Sequence, residues 1–335
     1  MIDQVPDLLA GNPRALARLL THIENGSEAA AATLAALYPY TGKAHLVGIT
    51  GPPGTGKSSL VNRLAGAYRA SGRTVGIVAV DPTSPFSGGA VLGDRIRMRD
   101  LAGDPGVFIR SMATRGSLGG LARATGDVVR ALDAAGFDVV LIETVGAGQS
   151  EVDIAREAHT TVVVEAPGLG DDVQTIKAGI LEVADILVVN KADRPDARQA
   201  VRALQAMLDL GSNRPRQALH HSRLLPEEPA PLPDAPPPPG WQVPIISTIA
   251  TDGTGIPDLL AALDAHRAYL NHSGRLRQWE RHHLTAELLD RLQTALLHEL
   301  LQRLDPDALR TVVDQLAARQ IDPSAAVRQL LAYNT

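Results

Sequence analysis

Eight consecutive residues, Gly51-Pro52-Pro53-Gly54-Thr55-Gly56-Lys57-Ser58, fit the spacing G-x-x-x-x-G-K-[ST]. The chemistry this allows is phosphate binding. Glycines let the backbone curl until its N–H groups converge on phosphate oxygens, and the positive end of a following helix backs them. Lys57 would bring a cation to the β- and γ-phosphates and Ser58 a hydroxyl to Mg²⁺, while Ser59 extends the nucleotide-binding segment. A metal-bound triphosphate also needs a carboxylate at the tip of a neighbouring strand. Asp81 follows the apolar run Thr74–Val80, and Glu143 follows Val139–Ile142. Glu143-Thr144-Val145-Gly146 has the acid-x-x-Gly spacing by which a glycine N–H can sense a γ-phosphate. Asp94, in Gly93-Asp94-Arg95-Ile96-Arg97, is a weaker candidate on a loop. The expected metal shell is thus Ser58, Asp81, Asp94 and Glu143, and the expected catalytic groups are Lys57, Glu143 and Asp94. No strong general base is evident; Gln149 could help place water, while Glu151 reads first as a helix-start acid.

The base is addressed by a second motif. Asn190-Lys191-Ala192-Asp193 follows the apolar run Ile186–Val189 and matches N-K-x-D. An ionised Asp only accepts hydrogen bonds. Guanine offers two adjacent donors where adenine presents an acceptor, so Asn190, Lys191 and Asp193 point to a guanine nucleotide. Ser247, just after the run Val243–Ile246, is placed for a backbone contact to the base edge.

Parallel strands at a nucleotide crevice would position these groups. Continuous apolar runs at Leu46–Thr50, Thr74–Val80, Val107–Arg110, Val139–Ile142, Thr161–Val164, Ile186–Val189 and Val243–Ile246 alternate with helical patterns. That texture predicts an α/β, mostly parallel, doubly wound sheet with both faces covered. Ahead of it, residues 1–42 read as a helical extension, broken at Gly11-Asn12-Pro13, with an alanine-rich helix over Glu28–Leu37. The expected G domain covers 43–272 and contains a loop, 226–239, in which eight of fourteen residues are proline. Residues 273–335 should be helical. Leu284, Leu288, Leu292, Leu296, Leu300 and Leu304 recur every fourth residue, a stripe that either packs on its own chain or serves as a dimerisation arm; the latter is the expectation.

Composition narrows the classes. The 335 residues are 44% hydrophobic and 21% charged, with net charge −5, enough apolar material for a core and too acidic for a nucleic-acid binder as a first reading. Aromatics at 3% argue against base stacking on single strands, and zero cysteines remove thiolate metal sites and cysteine nucleophiles. No apolar run has the length of a membrane span and the first residues lack a signal-like region, so a cytoplasmic protein without membrane attachment is expected.

The longer motifs resemble those of the MeaB/ArgK family, the GTPase chaperones of adenosylcobalamin-dependent acyl-CoA mutases such as methylmalonyl-CoA mutase. The resemblance is carried by Gly51–Ser58, Asp81-Pro82-Thr83-Ser84, Gly93–Met98, Glu143–Glu151, Gly170–Glu182, Asn190–Asp193 and Ala250–Ile256. It implies a P-loop GTPase that binds Mg²⁺ with GTP or GDP, forms a homodimer through its C-terminal helices, and gates adenosylcobalamin delivery to a mutase. The cobalamin would stay on the partner proteins, which include the mutase and its adenosyltransferase. Segment 168–182, with Asp171, Asp172, Gln174 and Lys177, resembles the switch through which the mutase influences hydrolysis. Ser58 stands where the family more often has Thr, keeping the hydroxyl.

Three other readings share the P-loop: a nickel-insertion GTPase, a kinase of a small molecule or protein, and a GTP-dependent scaffold. The first usually carries a Cys or His metal site, whereas His220-His221 and His282-His283 are adjacent pairs whose side chains diverge on a helix. The kinase is disfavoured by Asn190–Asp193 and the switch-like loops.

Overall fold

The computed structural model describes residues 2–82, 101, 103–114, 118–144, 157–168, 183–211 and 240–332. Strands form where the apolar runs are. They are β1 (His45–Thr50), β2 (Val75–Pro82), β3 (Val107–Thr114), β4 (Val139–Thr144), β5 (Thr160–Glu165), β6 (Ile186–Val189) and β7 (Ile245–Ser247). All pair in parallel, in the order β3-β2-β4-β1-β5-β6-β7. The chain lays β2 and β3 on one side of β1, returns to insert β4 between β2 and β1, and then adds β5, β6 and β7 on the other side, which places a crevice at the carboxyl end of β1.

The helices are α1 (Val5–Leu9), α2 (Pro13–Glu24), α3 (Glu28–Leu37), α4 (Lys57–Ala70), α5 (Leu118–Ala134), α6 (Ala197–Gly211) and α7 (Ile256–His272), followed by α8 (Arg275–Arg303), α9 (Pro306–Ala317) and α10 (Pro323–Ala332). Alternate residues of a strand face opposite sides of a sheet. Val75 and Ile77 of β2 accordingly pack with Leu60, Leu64, Leu259 and Leu263 of α4 and α7. Val78 and Val80 pack with Leu16, Leu19 and Leu20 of α2 and with Val128 and Leu132 of α5. Each such leucine, fully buried, contributes about 1.5–3 kcal/mol. A smaller cluster joins Val163, Leu187 and Val189 to Leu204 of α6. Both faces of the sheet are covered, as the unbroken apolar runs require.

The amino-terminal helices share the core of the sheet rather than standing off it. Asn12 caps α2 by accepting from the Arg14 and Ala15 amides, with Pro13 in the first turn, so the break anticipated at 11–13 is a helix start. Arg110 of β3 pairs with Glu24 of α2 at 2.7 Å. The Asp133 carboxylate at the end of α5 accepts from the backbone amides of Gly42, Lys43 and Ala44, fixing the entry into β1.

Residues 1–276 form one compact unit and 277–335 a second. In the second, α9 begins at Pro306, because Asp305 caps it by accepting from the Asp307 amide. Asp322 caps α10, accepting from the Ser324 and Ala325 amides. Of the leucine stripe, Leu284, Leu288, Leu292 and Leu296 are exposed (Leu288 66% accessible), whereas Leu300 is half-buried and Leu304 buried. No helix among the described residues is long and apolar enough to cross a membrane.

Candidate functional site: a phosphate loop clamped to a base-reading loop

The Gly-rich segment joins β1 to α4, as phosphate chemistry requires. Gly51 adopts φ +136°, and a Cβ there would lie 2.1 Å from the Val164 carbonyl oxygen of β5. Only glycine lets the loop leave β1 against its neighbour. Gly56, at φ +91°, immediately precedes α4, and a Cβ on it would meet the Asn190 side-chain nitrogen at 2.5 Å. Pro53, Gly54 and Ser59 are exposed, Pro52 is half-buried, and Thr55 is buried with its hydroxyl donated to the Pro52 carbonyl at 3.0 Å. Lys57 Nζ donates to the carbonyls of Gly51 and Pro52, at 2.7 and 2.9 Å. Its charge is thus held inside the loop into which phosphates would fit.

Ser58 and Glu143 are in contact. The Ser58 hydroxyl donates to Glu143 Oε1 at 2.5 Å. Glu143 lies within β4 as its penultimate residue, not beyond the strand end, and is 2% accessible. A hydroxyl and a carboxylate, both hard oxygen donors, fit a Mg²⁺ ion, which is held by few protein ligands and keeps its remaining waters and phosphate oxygens. Asp81 is in β2, opposite Ala113 of β3 in register. Asp94, Gln149, Glu151, Asp171, Asp172, Gln174, Lys177, the loop 226–239 and His220-His221 lie outside the described residues.

Asn190 is the joint of the site. It follows β6, is 2% accessible, and its Nδ2 donates to the Thr55 carbonyl of the phosphate loop at 2.8 Å. Its Oδ1 accepts from the Thr248 hydroxyl and the Ala250 amide, each at 3.1 Å. One side chain therefore ties the phosphate loop, the N-K-x-D turn and the segment after β7. Lys191, at φ +58°, reaches back to donate to the Gly54 carbonyl at 2.6 Å, and Asp193 is exposed on the same turn, open to a ligand.

Ser247 is the last residue of β7 and exposed, and the buried hydroxyl that meets Asn190 belongs to Thr248. The expected strand Val243–Ile246 starts two residues later, at Ile245, and ends one residue later, which moves the turn. Arg63 of α4 is also unforeseen: its Nε donates to the Ala250 carbonyl at 3.0 Å and its Nη2 to that of Thr251. The loop it holds is tightened at Asp252, whose carboxyl is held below the usual range by the Thr254 amide and hydroxyl, with the Arg63 charge adding to this. The unsatisfied donor and acceptor of a buried strand-end Asn were the available signal for Thr248 and Ala250; Arg63 had none.

Phosphate loop, guanine-type motif and Ser58–Glu143 pair coincide with a sequence profile described as methylmalonyl Co-A mutase-associated GTPase MeaB, which matches residues 16–305. The chain belongs to the MeaB family. It is a GTPase of the α/β P-loop fold. It is 44% identical over 332 residues to a GTPase-named protein of Pyrococcus abyssi, covering 99% of this chain and 96% of that one. It is 32% identical over 338 residues to the GTPase ArgK of Escherichia coli, covering 99% and 96%. A crystal structure of a LAO/AO transport system kinase superposes with a TM-score of 0.69 at 27% identity, covering 99% of this chain and 96% of that one. On α8, His282 Nδ1 lies 2.8 Å from the Gln278 carbonyl and His283 stacks on Trp279. Among the described residues no cluster of three or more His, Cys, Asp or Glu suits a metal ion.

Proposed function

We propose that this protein is a GTP-hydrolysing chaperone that gates adenosylcobalamin delivery to, and protects, a cobalamin-dependent acyl-CoA mutase. The observation that carries the proposal is membership of a family described by its association with methylmalonyl-CoA mutase, across residues 16–305. The site supports the nucleotide half of it. Lys57 would neutralise the β- and γ-phosphates, Ser58, Asp81, Asp94 and Glu143 would hold Mg²⁺, and Asn190, Lys191 and Asp193 would select guanine. The ion, when bound, would supply positive charge that offsets charge developing on the phosphate oxygens. Catalysis of phosphoryl transfer is mainly positioning and electrostatics, so a partner acting on segment 168–182 through Asp171, Asp172, Gln174 and Lys177 could complete the site without donating a base.

In this reading residues 1–42 are a helical extension, 43–272 the nucleotide-binding G domain and 273–335 a dimerisation arm, using the exposed Leu284, Leu288, Leu292 and Leu296 face. The cobalamin stays on the mutase and its adenosyltransferase. The test is GTP hydrolysis by the purified protein, alone and with apo-mutase, while cobalamin loading is followed by its visible spectrum. Stimulated hydrolysis with nucleotide-dependent loading is expected. GTPase activity indifferent to every acyl-CoA mutase, with loading unaffected by nucleotide, would refute the chaperone reading while leaving the GTPase intact.

A further inference from the structure

The opposite end of β1, about 20 Å from the phosphate loop for six residues at roughly 3.3 Å each, holds a second polar cluster that nucleotide chemistry does not use. A cavity of about 100 Å³ opens there, lined chiefly by Lys43, His45, His159, Arg267, Leu270 and Asn271. Its volume exceeds the space of one or two waters. Its lining contains two cationic side chains and two imidazoles, and no carboxylate. The nearby Asp133 carboxylate is spent on the amides of residues 42–44.

The proton positions follow from Asp185. Its Oδ2 accepts from the Thr161 amide at 2.9 Å, and its Oδ1 lies 3.5 Å from His266 Nε2. A carboxylate there favours the proton on Nε2, which leaves His266 Nδ1 an acceptor. Thr160 Oγ1 lies 2.8 Å from His266 Nδ1 and 2.8 Å from His45 Nε2. With one proton to give, the hydroxyl donates to His266 and must accept from His45. His45 Nδ1 is then a bare acceptor, buried, with no hydrogen-bond partner. Leaving such an atom unmet costs about 1–3 kcal/mol. Beside it, Arg267 donates one Nη2 hydrogen to the Lys43 carbonyl at 2.7 Å and has four further N–H donors. The cavity therefore asks for a ligand that gives a hydrogen bond to an imidazole and carries negative charge for two cations.

We infer that this cavity binds a small oxyanion that keeps a proton at neutral pH, with hydrogen phosphate or bicarbonate as the type, its hydroxyl donating to His45 Nδ1 and its charged oxygens facing Arg267 and Lys43. The full-length protein, loaded with a non-hydrolysable GTP analogue so that the phosphate loop is filled, is titrated with inorganic phosphate, bicarbonate and sulfate. Side-chain nitrogen NMR of His45 reports the site, and calorimetry gives stoichiometry. Phosphate or bicarbonate should bind one per chain and shift His45 Nδ1; the tighter of the two identifies the source. Sulfate, which carries no proton near neutral pH, should bind at least about tenfold more weakly, the loss of one hydrogen bond to a charged group. Arg267→Gln, on a half-buried side chain, should weaken phosphate by about tenfold or more and leave nucleotide affinity unchanged. Absence of any His45 shift, sulfate binding as tight as phosphate, or indifference to Arg267→Gln would each overturn the inference.

Discussion

Replacing Asn190 with Ala should separate the two halves of the nucleotide site before any nucleotide is present. The side chain makes three hydrogen bonds, to the Thr55 carbonyl, the Thr248 hydroxyl and the Ala250 amide, and all three partner residues are buried. The Thr248 hydroxyl can rotate toward another acceptor; the Thr55 carbonyl and Ala250 amide cannot. Two stranded backbone groups at about 1–3 kcal/mol each, partly recovered by water entering the vacated space, give a loss of ~2–4 kcal/mol. For a domain of this size that is a drop in Tm of roughly 5–10 °C. Differential scanning fluorimetry of the nucleotide-free protein measures it. GTP affinity, measured by displacement of a fluorescent guanine nucleotide, should fall at least about tenfold, because the phosphate loop and the base loop are no longer held in one geometry. Asn190→Asp sharpens the reasoning. It keeps an acceptor for Thr248 and Ala250 but sets a carboxylate against the Thr55 carbonyl, so its folded pKa rises above the unfolded value of about 3.9. The stabilisation from the protonated carboxyl is then fully present below about pH 4 and lost as pH rises through the folded pKa. A Tm for Asn190→Ala within about 1 °C of the parent, with unchanged GTP affinity, would refute the clamp.

Four further outcomes are expected. Gly51→Ala places a Cβ 2.1 Å from the Val164 carbonyl and should unfold or strongly destabilise the protein, whereas Gly54→Ala, at φ +81° with open space around it, should cost only about 1 kcal/mol, a contrast read by thermal denaturation. Ser58→Ala should reduce Mg²⁺-dependent hydrolysis at least about tenfold, while Ser58→Thr, which keeps the hydroxyl facing Glu143, should retain it in a phosphate-release assay. Asp193→Asn should weaken GTP and improve xanthosine triphosphate, since the donor–acceptor match is inverted; an unchanged preference in competition binding would remove the guanine assignment. Burial, helped by the charges of His159, Arg267, His266 and Arg73, holds the His45 pKa well below 6.5. The unfolded chain then takes up the proton first, so stability is lost as pH falls below about 6.5, and this acid limb of a urea-denaturation series should flatten in His45→Gln.

How much of this was legible depended on sequence distance. Seven strands could be read because a parallel sheet buried on both faces writes continuous apolar runs; even the four residues Ile186–Val189 were found with their limits unchanged. The phosphate loop and N-K-x-D turn were legible because each packs its chemistry into a few consecutive residues. The Thr248 hydroxyl was not legible, since its partner Asn190 lies 58 residues away and β7 runs through Ser247 before the chain turns inward. Arg63 was illegible: an arginine on an amphipathic helix reads as solvent-facing, and nothing local links it to carbonyls 187 and 188 residues away. The Thr160-centred chain at the foot of the sheet escaped for the same reason, being assembled from residues 45, 160, 185 and 266. The amino-terminal helices showed their amphipathic spacing, but which surface that spacing meets is a tertiary fact, here Val78, Val140 and α5.

The placement of β1 at the centre of the sheet has a consequence for biosynthesis. β1 carries the phosphate loop, but its two neighbours, β4 and β5, start at residues 139 and 160, and the groups that satisfy Asn190 come only at 248 and 250. A growing polypeptide thus displays a phosphate-binding sequence early and must wait for nearly three-quarters of its length before a guanine nucleotide has a place to rest. Chains stalled or cleaved ahead of Ala250 would carry every phosphate ligand described in the phosphate loop and still bind nucleotide poorly. Guanine-nucleotide retention should accordingly report synthesis past Ala250 rather than past the phosphate loop, and a pulse-labelled ribosome-release series should show it arriving in one step after that point.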